Sequence, residues 1–362
     1  MKKIFEINKT IKPFKKVIKV EGDKSLSIRW VLLASLSKKK SIAYNLLKSE
    51  DVLSALDCIK KLGSKVKFIK NRCEIIGTGF NYIIKKNLIL NAGNSGTLGR
   101  LILGLLVNQN KKIKLIGDKS LSKRDFSRVI NPLKKFGAKF KSKKNKLPLV
   151  IEGLESPKSI NYIENRGSAQ CKTSVIFAAL KTNGTSTIKA KQSRNHSELL
   201  LKYLKIPIKI KKSKNYDLIK VKGINKIQNL NYKIPGDISS CAFFIVLTIL
   251  TKNSRILIKN ININPSRIGM IKILKKMGAS INMVNKKNYK GEKIADLVVK
   301  SSQNLKGINC PSKLNASAID EFLVIFLVAA KAKGVSTFKN LSELNHKESP
   351  RLIWGSKILR LM

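Results

Sequence analysis

The chain is poor in histidine and in aromatic residues and has no long apolar run, and each shortage argues against a class of function. The 2 histidines, His196 and His346, argue against a histidine-based metal site. Aromatic residues make up 6% of the chain, which leaves few platforms for stacking nucleic-acid bases. No apolar run reaches the ~18 residues of a membrane-spanning helix, and the N-terminus lacks the apolar region of a signal peptide. We therefore expect no membrane partner.

Cysteine is also scarce, and its arrangement bears on the cellular compartment. The 5 cysteines form no C-x-x-C pair, and their odd number argues against a disulfide framework. We therefore expect buried, reduced thiols and a cytoplasmic protein. The cysteines are Cys58, Cys73, Cys171, Cys241 and Cys310.

Lysine, by contrast, is abundant, and the formal net charge is +53 with a pI near 10.3. Such a charge suggests a nucleic-acid-binding protein. Against this, the lysines are spread along the whole chain, and the joint abundance of Lys, Ile and Asn is typical of an AT-rich genome. We favour a compositional origin on solvated faces, while a basic cleft would still attract phosphate and carboxylate substrates.

An internal repeat is visible at the ends of predicted helices. An apolar residue, two lysines, another apolar residue and a glycine recur at 59–63, 133–137 and 274–278, with a degenerate copy at 201–205. The spacing of roughly 70 residues indicates a duplicated supersecondary unit. Each glycine occupies the position expected just after a helix.

The units contain amphipathic helical patterns and short alternating strands, which predicts an α/β fold built from α+β repeats. A length of 362 residues with 43% hydrophobic content is enough for two domains. The clearest predicted helices are 24–36, 99–107, 168–180 and 238–250, and the clearest strands are 113–116 and 255–258.

The segment 90–100 carries the strongest local signal of function. It contains three glycines, a threonine and an arginine at the junction of a strand-like and a helix-like run. Glycine allows close approach to a ligand, and a helix start offers unpaired N–H groups and partial positive charge. We therefore expect an anion site to which Arg100 and Arg124 add forked donors, although a simple turn before a helix has the same pattern. Further cations in similar polar segments are Lys24, Arg29, Arg194 and Arg351.

Several ordered motifs together resemble one family, the EPSP synthases (3-phosphoshikimate 1-carboxyvinyltransferases), over essentially the whole chain. The matching segments are 22–29, 91–100, 117–124, 168–172, 193–198, 235–240, 264–267, 319–321 and 346–351.

The resemblance implies a two-domain enolpyruvyl transferase fold with three βαβαββ units in each domain. The first, complete lobe would span 22–235, and the second lobe would comprise 1–21 plus 236–362. Because the family has six units, we expect the fifth to be incomplete and the sixth to be missing. The polypeptide would then be truncated at its C-terminus, with weak substrate binding and little or no turnover.

The implied reaction belongs to the shikimate pathway of chorismate and aromatic amino acid biosynthesis. It transfers the enolpyruvyl group of phosphoenolpyruvate to the 5-hydroxyl of shikimate 3-phosphate, releases phosphate and requires no metal or cofactor. The implied catalytic residues are Asp320 as the base for the hydroxyl, Glu348 for proton exchange at C3, and Lys24, which reaches both substrates. Shikimate 3-phosphate would contact Lys24, Ser25, Arg29, Ser168, Ala169, Gln170, Ser193 and Arg194. Phosphoenolpyruvate would contact Asn94, Gly96, Arg124 and Arg351, and Lys347 of the last motif would also bind substrate.

Each assignment has a plainer structural alternative. Ser168 could be an ordinary helix cap, Asp320 a carboxylate stabilised by a helix start, and Glu348 and Arg351 a surface ion pair. An alternative function is that of the related UDP-N-acetylglucosamine enolpyruvyl transferases, but their loop cysteine has no counterpart in residues 101–128. A basic nucleic-acid-binding protein is the other alternative. We expect a monomer without a specific nucleic-acid partner.

Overall fold

The computed structural model describes residues 10–346 and 349–361. The chain divides into two compact units. Unit 1 comprises Met1–Val20, Gly236–Lys287 and Ile294–Met362. Unit 2 comprises Glu21–Pro235 and Asn288–Lys293.

The strands are short, and they are numbered here in chain order. They are β1 (Lys15–Ile18), β2 (Ser41–Tyr44), β3 (Lys65–Ile69), β4 (Arg72–Ile76), β5 (Ile89–Asn91), β6 (Ile113–Ile116), β7 (Lys139–Ser142), β8 (Leu149–Glu152), β9 (Asn161–Glu164), β10 (Thr185–Lys191), β11 (Ile208–Lys212), β12 (Tyr216–Lys222), β13 (Tyr232–Lys233), β14 (Arg255–Asn262), β15 (Ile281–Tyr289) and β16 (Glu292–Lys300).

The helices are numbered in the same way, and 3-10 turns lie at Ser312–Leu314 and Ser342–His346. They are α1 (Lys24–Ala34), α2 (Glu50–Lys61), α3 (Gly96–Leu106), α4 (Lys119–Ser122), α5 (Ser127–Lys135), α6 (Ala169–Ala179), α7 (His196–Tyr203), α8 (Ile238–Leu250), α9 (Gly269–Lys276), α10 (Asn315–Ala318), α11 (Phe322–Lys331) and α12 (Arg351–Leu361). No helix in the described part of the chain has the length and apolar character needed to cross a membrane.

Within the described residues the strands form four mixed sheets of one design. The orders are β13-β2-β4-β3, β5-β6-β8-β7 and β9-β10-β12-β11 in unit 2, and β1-β14-β16-β15 in unit 1. In each sheet the first two strands are parallel and the next neighbour is antiparallel. This arrangement confirms the predicted mixed α/β repeat. The edge strands β1 and β13 join partners far away in sequence, which was not predicted.

The glycines at the predicted helix ends adopt the conformation that the repeat requires. Gly63, Gly137 and Gly278 follow α2, α5 and α9 with φ of +98°, +104° and +93°. Lys205 follows α7 in the degenerate copy and takes φ +56° without being glycine. The repeated helix ends are therefore confirmed, because a residue in this region reverses the chain into the next strand.

The predicted helices form, but some of their ends are displaced. Helix α3 starts earlier than the predicted 99–107, because the Ser95 side chain accepts the N–H of Leu98 at 3.2 Å and begins the helix at Gly96. Asp23 and Ser168 cap α1 and α6 in the same way. The prediction of 238–250 agrees with α8, and that of 113–116 agrees with β6.

The core of unit 2 is built on α1, α3 and α6, which bury nearly all of their residues. Trp30 of α1 is fully buried, and its indole N–H donates to the carbonyl O of Leu230 at 2.8 Å. Helices α3 and α6 touch closely, because a Cβ at Gly104 would lie only 2.1 Å from the carbonyl O of Ser174. In unit 1 a separate core forms around α8, α9 and α11 with β14 and β16.

The cysteines are buried and unpaired, as the sequence predicted. Burial raises the pKa of the Cys58 and Cys73 thiols to about 12. It also raises the pKa of Cys171, Cys241 and Cys310. Thiolate, the reactive form, is therefore scarce near neutral pH.

We expect the native protein to react with Ellman's reagent at fewer than one thiol per chain at about pH 8, because protonated, buried thiols are inert. The same sample unfolded in guanidinium should release the signal of all 5 thiols, which serves as the control. Rapid labelling of a thiol in the native protein would contradict the burial described above.

Candidate functional site

Several of the predicted site residues of unit 2 lie at the first turns of three buried helices. Lys24, Gly96 and Ala169 are the first residues of α1, α3 and α6, and Ser168 caps α6. Lys24 also lies 3.2 Å from Asp51 of α2. Helix starts present N–H groups and a partial positive charge. The first turns of these helices can therefore bind anions.

Two arginine side chains converge on Gly96. A Cβ built there would lie 2.8 Å from Nη1 of Arg100 and 2.9 Å from Nη1 of Arg124. Arg124 also donates to Oδ1 of Asn94 at 3.2 Å, and the Asn94 amide donates to Asp118 at 2.5 Å. The space left by the missing side chain is thus lined by two guanidinium groups.

Arg100 links the start of α3 to the start of α6. Its guanidinium donates to Oε1 of Gln170 at 2.9 Å, and the Gln170 amide donates to Thr97 at 3.0 Å. The guanidinium carbon also lies 5.1 Å from the centre of the Phe126 ring. Burial, and to a smaller degree the like charge of Arg124, lowers the pKa of Arg100. The guanidinium nevertheless remains charged at neutral pH.

Arg29 is held inside unit 2 by hydroxyl groups. Its side chain is 3% exposed, and Nε donates to the hydroxyl of Ser197 at 2.8 Å. Nη1 donates to the carbonyl O of Ser25 at 2.9 Å, one helical turn away. The Thr173 hydroxyl lies 2.8 Å from that of Ser197 and completes the group. Arg29 therefore has a fixed orientation set by α1, α6 and α7.

The loop before α6 is organised by Glu164, which the sequence reasoning missed. The buried carboxylate accepts the N–H groups of Arg166, Gly167 and Ser168 at 3.2, 2.8 and 3.0 Å. Gly167 adopts a φ of +73°, which favours glycine. The signal for this role in the sequence was an acidic residue at the end of a strand, shortly before a glycine and a helix-capping serine. Glu164 fixes the loop that carries Ser168.

A buried ion pair beneath this loop was also missed. Lys172 of α6 lies 2.7 Å from Glu198 of α7, and both side chains are nearly inaccessible. Burial raises the pKa of the neighbouring Asp217, an effect that the charge of Lys172 opposes. A lysine in an otherwise apolar helix was the signal in the sequence. The pair ties α7 to α6.

Ser193 and Arg194 lie in the loop that leads into α7. The Ser193 hydroxyl is buried and has no hydrogen-bond partner among the described residues. Directly after this loop, Nδ1 of the buried His196 lies 2.6 Å from Glu292. This contact anchors the start of α7 next to the two predicted site residues.

The site residues of unit 1 lie at the start of α11 and α12. Nη1 of Arg351, the first residue of α12, lies 3.5 Å from Oδ1 of Asp320. The predicted Lys347 and Glu348 lie outside the described residues. Asp320 and Arg351, which are 31 positions apart in the sequence, are thus close together.

A buried polar network lies next to Asp320 in unit 1. Arg267 donates to Asp237 at 3.3 Å and to the hydroxyl of Ser239 at 2.8 Å. Ser239 in turn donates to Glu321 at 2.5 Å. The network joins the start of α8 to the start of α11 and so fixes the backbone on which Asp320 lies.

Comparisons with known proteins identify the family that the chain resembles. The family model for EPSP synthase (3-phosphoshikimate 1-carboxyvinyltransferase) matches residues 8–362. The 3-phosphoshikimate 1-carboxyvinyltransferase of Petrotoga mobilis is 38% identical over 340 residues, which cover 92% of this chain and 78% of the relative.

Solved structures show the same fold. An EPSP synthase from Acinetobacter baumannii superposes with a TM-score of 0.86 at 34% identity, covering 97% of this chain and 79% of that structure. The enolpyruvyl transferase NikO from Streptomyces tendae gives a TM-score of 0.68 at 11% identity, covering 89% and 74% of the two chains, and it supports the fold alone. The predicted enolpyruvyl transferase fold is confirmed.

Replacing Lys172 with methionine should destabilise the protein by about 3–5 kcal/mol, because it leaves the Glu198 carboxylate buried and unpaired. Urea unfolding followed by circular dichroism measures the loss. Adding Glu198→Gln to Lys172→Met should recover part of the lost stability, because the double variant no longer buries an unpaired carboxylate.

The matched control is Lys202→Met on the exposed face of α7, which should change the stability by less than about 0.5 kcal/mol. Similar losses in the Lys172 and Lys202 variants would show that the buried pair has no special role.

Proposed function

The chain belongs to the EPSP synthase family, and from that premise we propose that the residues at the helix starts of unit 2 and at Asp320 of unit 1 carry its reaction. That reaction transfers the enolpyruvyl group of phosphoenolpyruvate to the 5-hydroxyl of shikimate 3-phosphate and releases phosphate. The observation that carries the proposal is the convergence of Arg100 and Arg124 on Gly96. Two like charges brought together at a helix start favour a multiply charged anion.

Phosphoenolpyruvate binds at the Gly96 cluster. The forked donors of Arg124 suit a phosphate or a carboxylate, and Asn94 orients that guanidinium. Gly96 supplies its N–H at the start of α3 and has no side chain that would occupy the space. The phosphate and carboxylate of this substrate match a site with more than one cation.

Shikimate 3-phosphate binds along the starts of α1 and α6. Its phosphate lies at the first turn of α6, which is lined by Ser168, Ala169 and Gln170, and Ser193 and Arg194 come from the neighbouring loop. Lys24 and Ser25 contact the same substrate from α1. Arg29 contributes a donor whose direction is already fixed by Ser25 and Ser197. A rigid donor loses little entropy on binding.

Two carboxylates carry out the proton transfers. Asp320 accepts the proton of the 5-hydroxyl as the hydroxyl oxygen attacks C2 of phosphoenolpyruvate, and Glu348 donates a proton to C3 to give the tetrahedral intermediate. Glu348 takes a proton back from C3 when this intermediate collapses. Phosphate then leaves from the tetrahedral intermediate. Lys24 and Lys347 stabilise the negative charge, and Arg351 holds the carboxylate of phosphoenolpyruvate. No metal or cofactor takes part in the proposed steps.

Several further properties belong to the same proposal. We place the lobe boundaries at 22–235 for the first lobe and at 1–21 plus 236–362 for the second. The enzyme acts as a cytoplasmic monomer without a specific nucleic-acid partner, and its unpaired, buried cysteines support a reducing compartment. Light scattering after size-exclusion chromatography measures the oligomeric state.

Phosphate release with each acceptor tests the proposed reaction. We expect release with shikimate 3-phosphate, at a rate kept low by the weak substrate binding expected above, and none with UDP-N-acetylglucosamine. Asp320→Asn should lower kcat by about 10²–10⁴-fold with little change in KM, because the amide cannot accept the proton.

Asp296→Asn in β16 is the control for the loss of a partly exposed carboxylate outside the site, and it should leave kcat unchanged. Release with the UDP-sugar alone would refute the reaction. Equal activity of the wild-type and Asp320→Asn proteins would refute the role of Asp320 as the base.

Replacing Gly96 with alanine tests the phosphoenolpyruvate pocket. The added methyl group would lie 2.8 and 2.9 Å from the Arg100 and Arg124 nitrogens, so both guanidiniums must shift. We expect KM for phosphoenolpyruvate to rise about tenfold or more, equivalent to about 1.4 kcal/mol, with KM for shikimate 3-phosphate unchanged.

Gly99→Ala on the same helix is the matched control, because its Cβ would meet the Phe126 ring and Ala92 at the ordinary distances of 3.4 and 3.5 Å. Steady-state kinetics with each substrate varied in turn gives both constants. An effect on KM for shikimate 3-phosphate alone would place the pocket elsewhere.

A further inference from the structure

One sheet of unit 2 has an outer face on which lysines supply all of the charge of the described strands. In the sheet β9-β10-β12-β11 the inward residues, such as Ile188, Ile219 and Val221, are buried, and the alternate residues point outward. Six of the outward residues are exposed lysines, and we call this surface the lysine face. Its lysines are Lys189, Lys191, Lys209, Lys211, Lys220 and Lys222.

The lysine face lacks any compensating acid. The acidic residues of these four described strands are Glu164 and Asp217, and both are buried on the inward side. Lys209 lies directly opposite Lys220 in the ladder between β11 and β12. Like charges directly opposite each other destabilise a sheet. The arrangement therefore costs stability in the free protein.

The sister sheets provide an internal comparison, because the repeat gives them the same geometry. Their outer faces also carry cations, but each has an acid among them. Glu74 is opposite Lys67, and Glu152 is opposite Lys139. In the sheet of unit 1, Asp296 lies near Lys259 and Lys287. A general drift toward lysine explains cations on every sheet but not the loss of acids from one.

We propose that the lysine face is a docking surface for single-stranded nucleic acid, which it holds through the phosphate backbone. Alternate lysines along a strand lie about 6.8 Å apart, and neighbouring strands are about 4.8 Å apart, so the face is a closely spaced cationic lattice. Contacts to phosphate carry no sequence information, so this docking differs from the recognition of a specific site.

An aromatic ring on the same face favours nucleic acid over an anionic membrane. The half-buried Tyr216 ring lies 5.1 Å from the Lys189 ammonium and pairs with Lys191 across the ladder. An aromatic ring among cations is the combination that stacks bases while binding phosphates. A membrane surface would instead favour a continuous apolar side to insert. The apolar outward residues here are Ile163 on the edge strand β9 and the half-buried Leu218 on β12.

Binding of a fluorescent single-stranded 20-mer to the full chain, followed by anisotropy at several salt concentrations, tests the proposal. The test variant is Lys209→Gln/Lys220→Gln/Lys222→Gln. We expect its affinity to fall at least about tenfold and its salt slope to fall by about 2, because three phosphate contacts are lost. Its thermal midpoint should not fall, since a like-charge pair is removed.

The matched control is Lys65→Gln/Lys114→Gln/Lys141→Gln, which removes the same charge from exposed strand positions of the two sister sheets in unit 2. These lysines face Ile76 or Val150 and no acid. Equal losses in both triple variants would overturn the proposal, because binding would then follow diffuse net charge.

Two further measurements sharpen the outcome. Tyr216→Leu should weaken binding without changing the salt slope, because it removes stacking and no charge. Vesicles containing phosphatidylserine replace the oligonucleotide in a second assay. Selective loss of vesicle binding in the test variant, with oligonucleotide binding intact, would overturn nucleic acid as the partner.

Discussion

The close packing of α3 against α6 is the constraint on which the candidate site of unit 2 depends. No side chain fits at Gly104, where a Cβ would lie 2.1 Å from the carbonyl O of Ser174. The Ser174 hydroxyl also donates to the carbonyl O of Arg100 at 2.8 Å. The helices are parallel at this contact, so their first turns lie side by side and Arg100 reaches Gln170. The anion-binding geometry follows from backbone packing as much as from charge.

Local features of the fold were predictable, and long-range pairings were not. The helix ends at Gly63, Gly137 and Gly278 follow from short patterns, because the residues that end a helix are adjacent in sequence. Strand β13 has only two residues and no periodicity, so it exists through its pairing with β2.

A second marker of the repeat in the sequence was also missed. Gly77, Gly153 and Gly223 each follow the last strand of a unit, and a Cβ there would lie about 2 Å from a carbonyl O near the end of a helix.

The same division applies to the candidate site. The helix starts at Lys24, Gly96 and Ala169 could be predicted, because capping residues and glycines act within a few positions. The groups that orient them were missed. Glu164 acts on N–H groups within four positions, so its role was readable in the sequence. Lys172 and the hydroxyls around Arg29 acquire their roles only when α1, α6 and α7 pack. Arg29 illustrates the difference. Its motif indicated a substrate contact, whereas the structure adds that the guanidinium is already held by three elements.

The repeat also allows the charges on one sheet to be compared with those on its sister sheets, a comparison that the net charge of the chain does not offer. A total of +53 cannot locate a surface, because it sums over solvated faces of every kind. Equivalent strands in sister sheets share their geometry, so differences between their outer faces arise from sequence alone. Outward positions alternate with core positions, so they can drift toward lysine without disturbing the packing beneath. Like charges that face each other across a ladder, such as Lys209 and Lys220, still repel after such drift. An uncompensated like-charge pair is therefore more informative than the number of lysines.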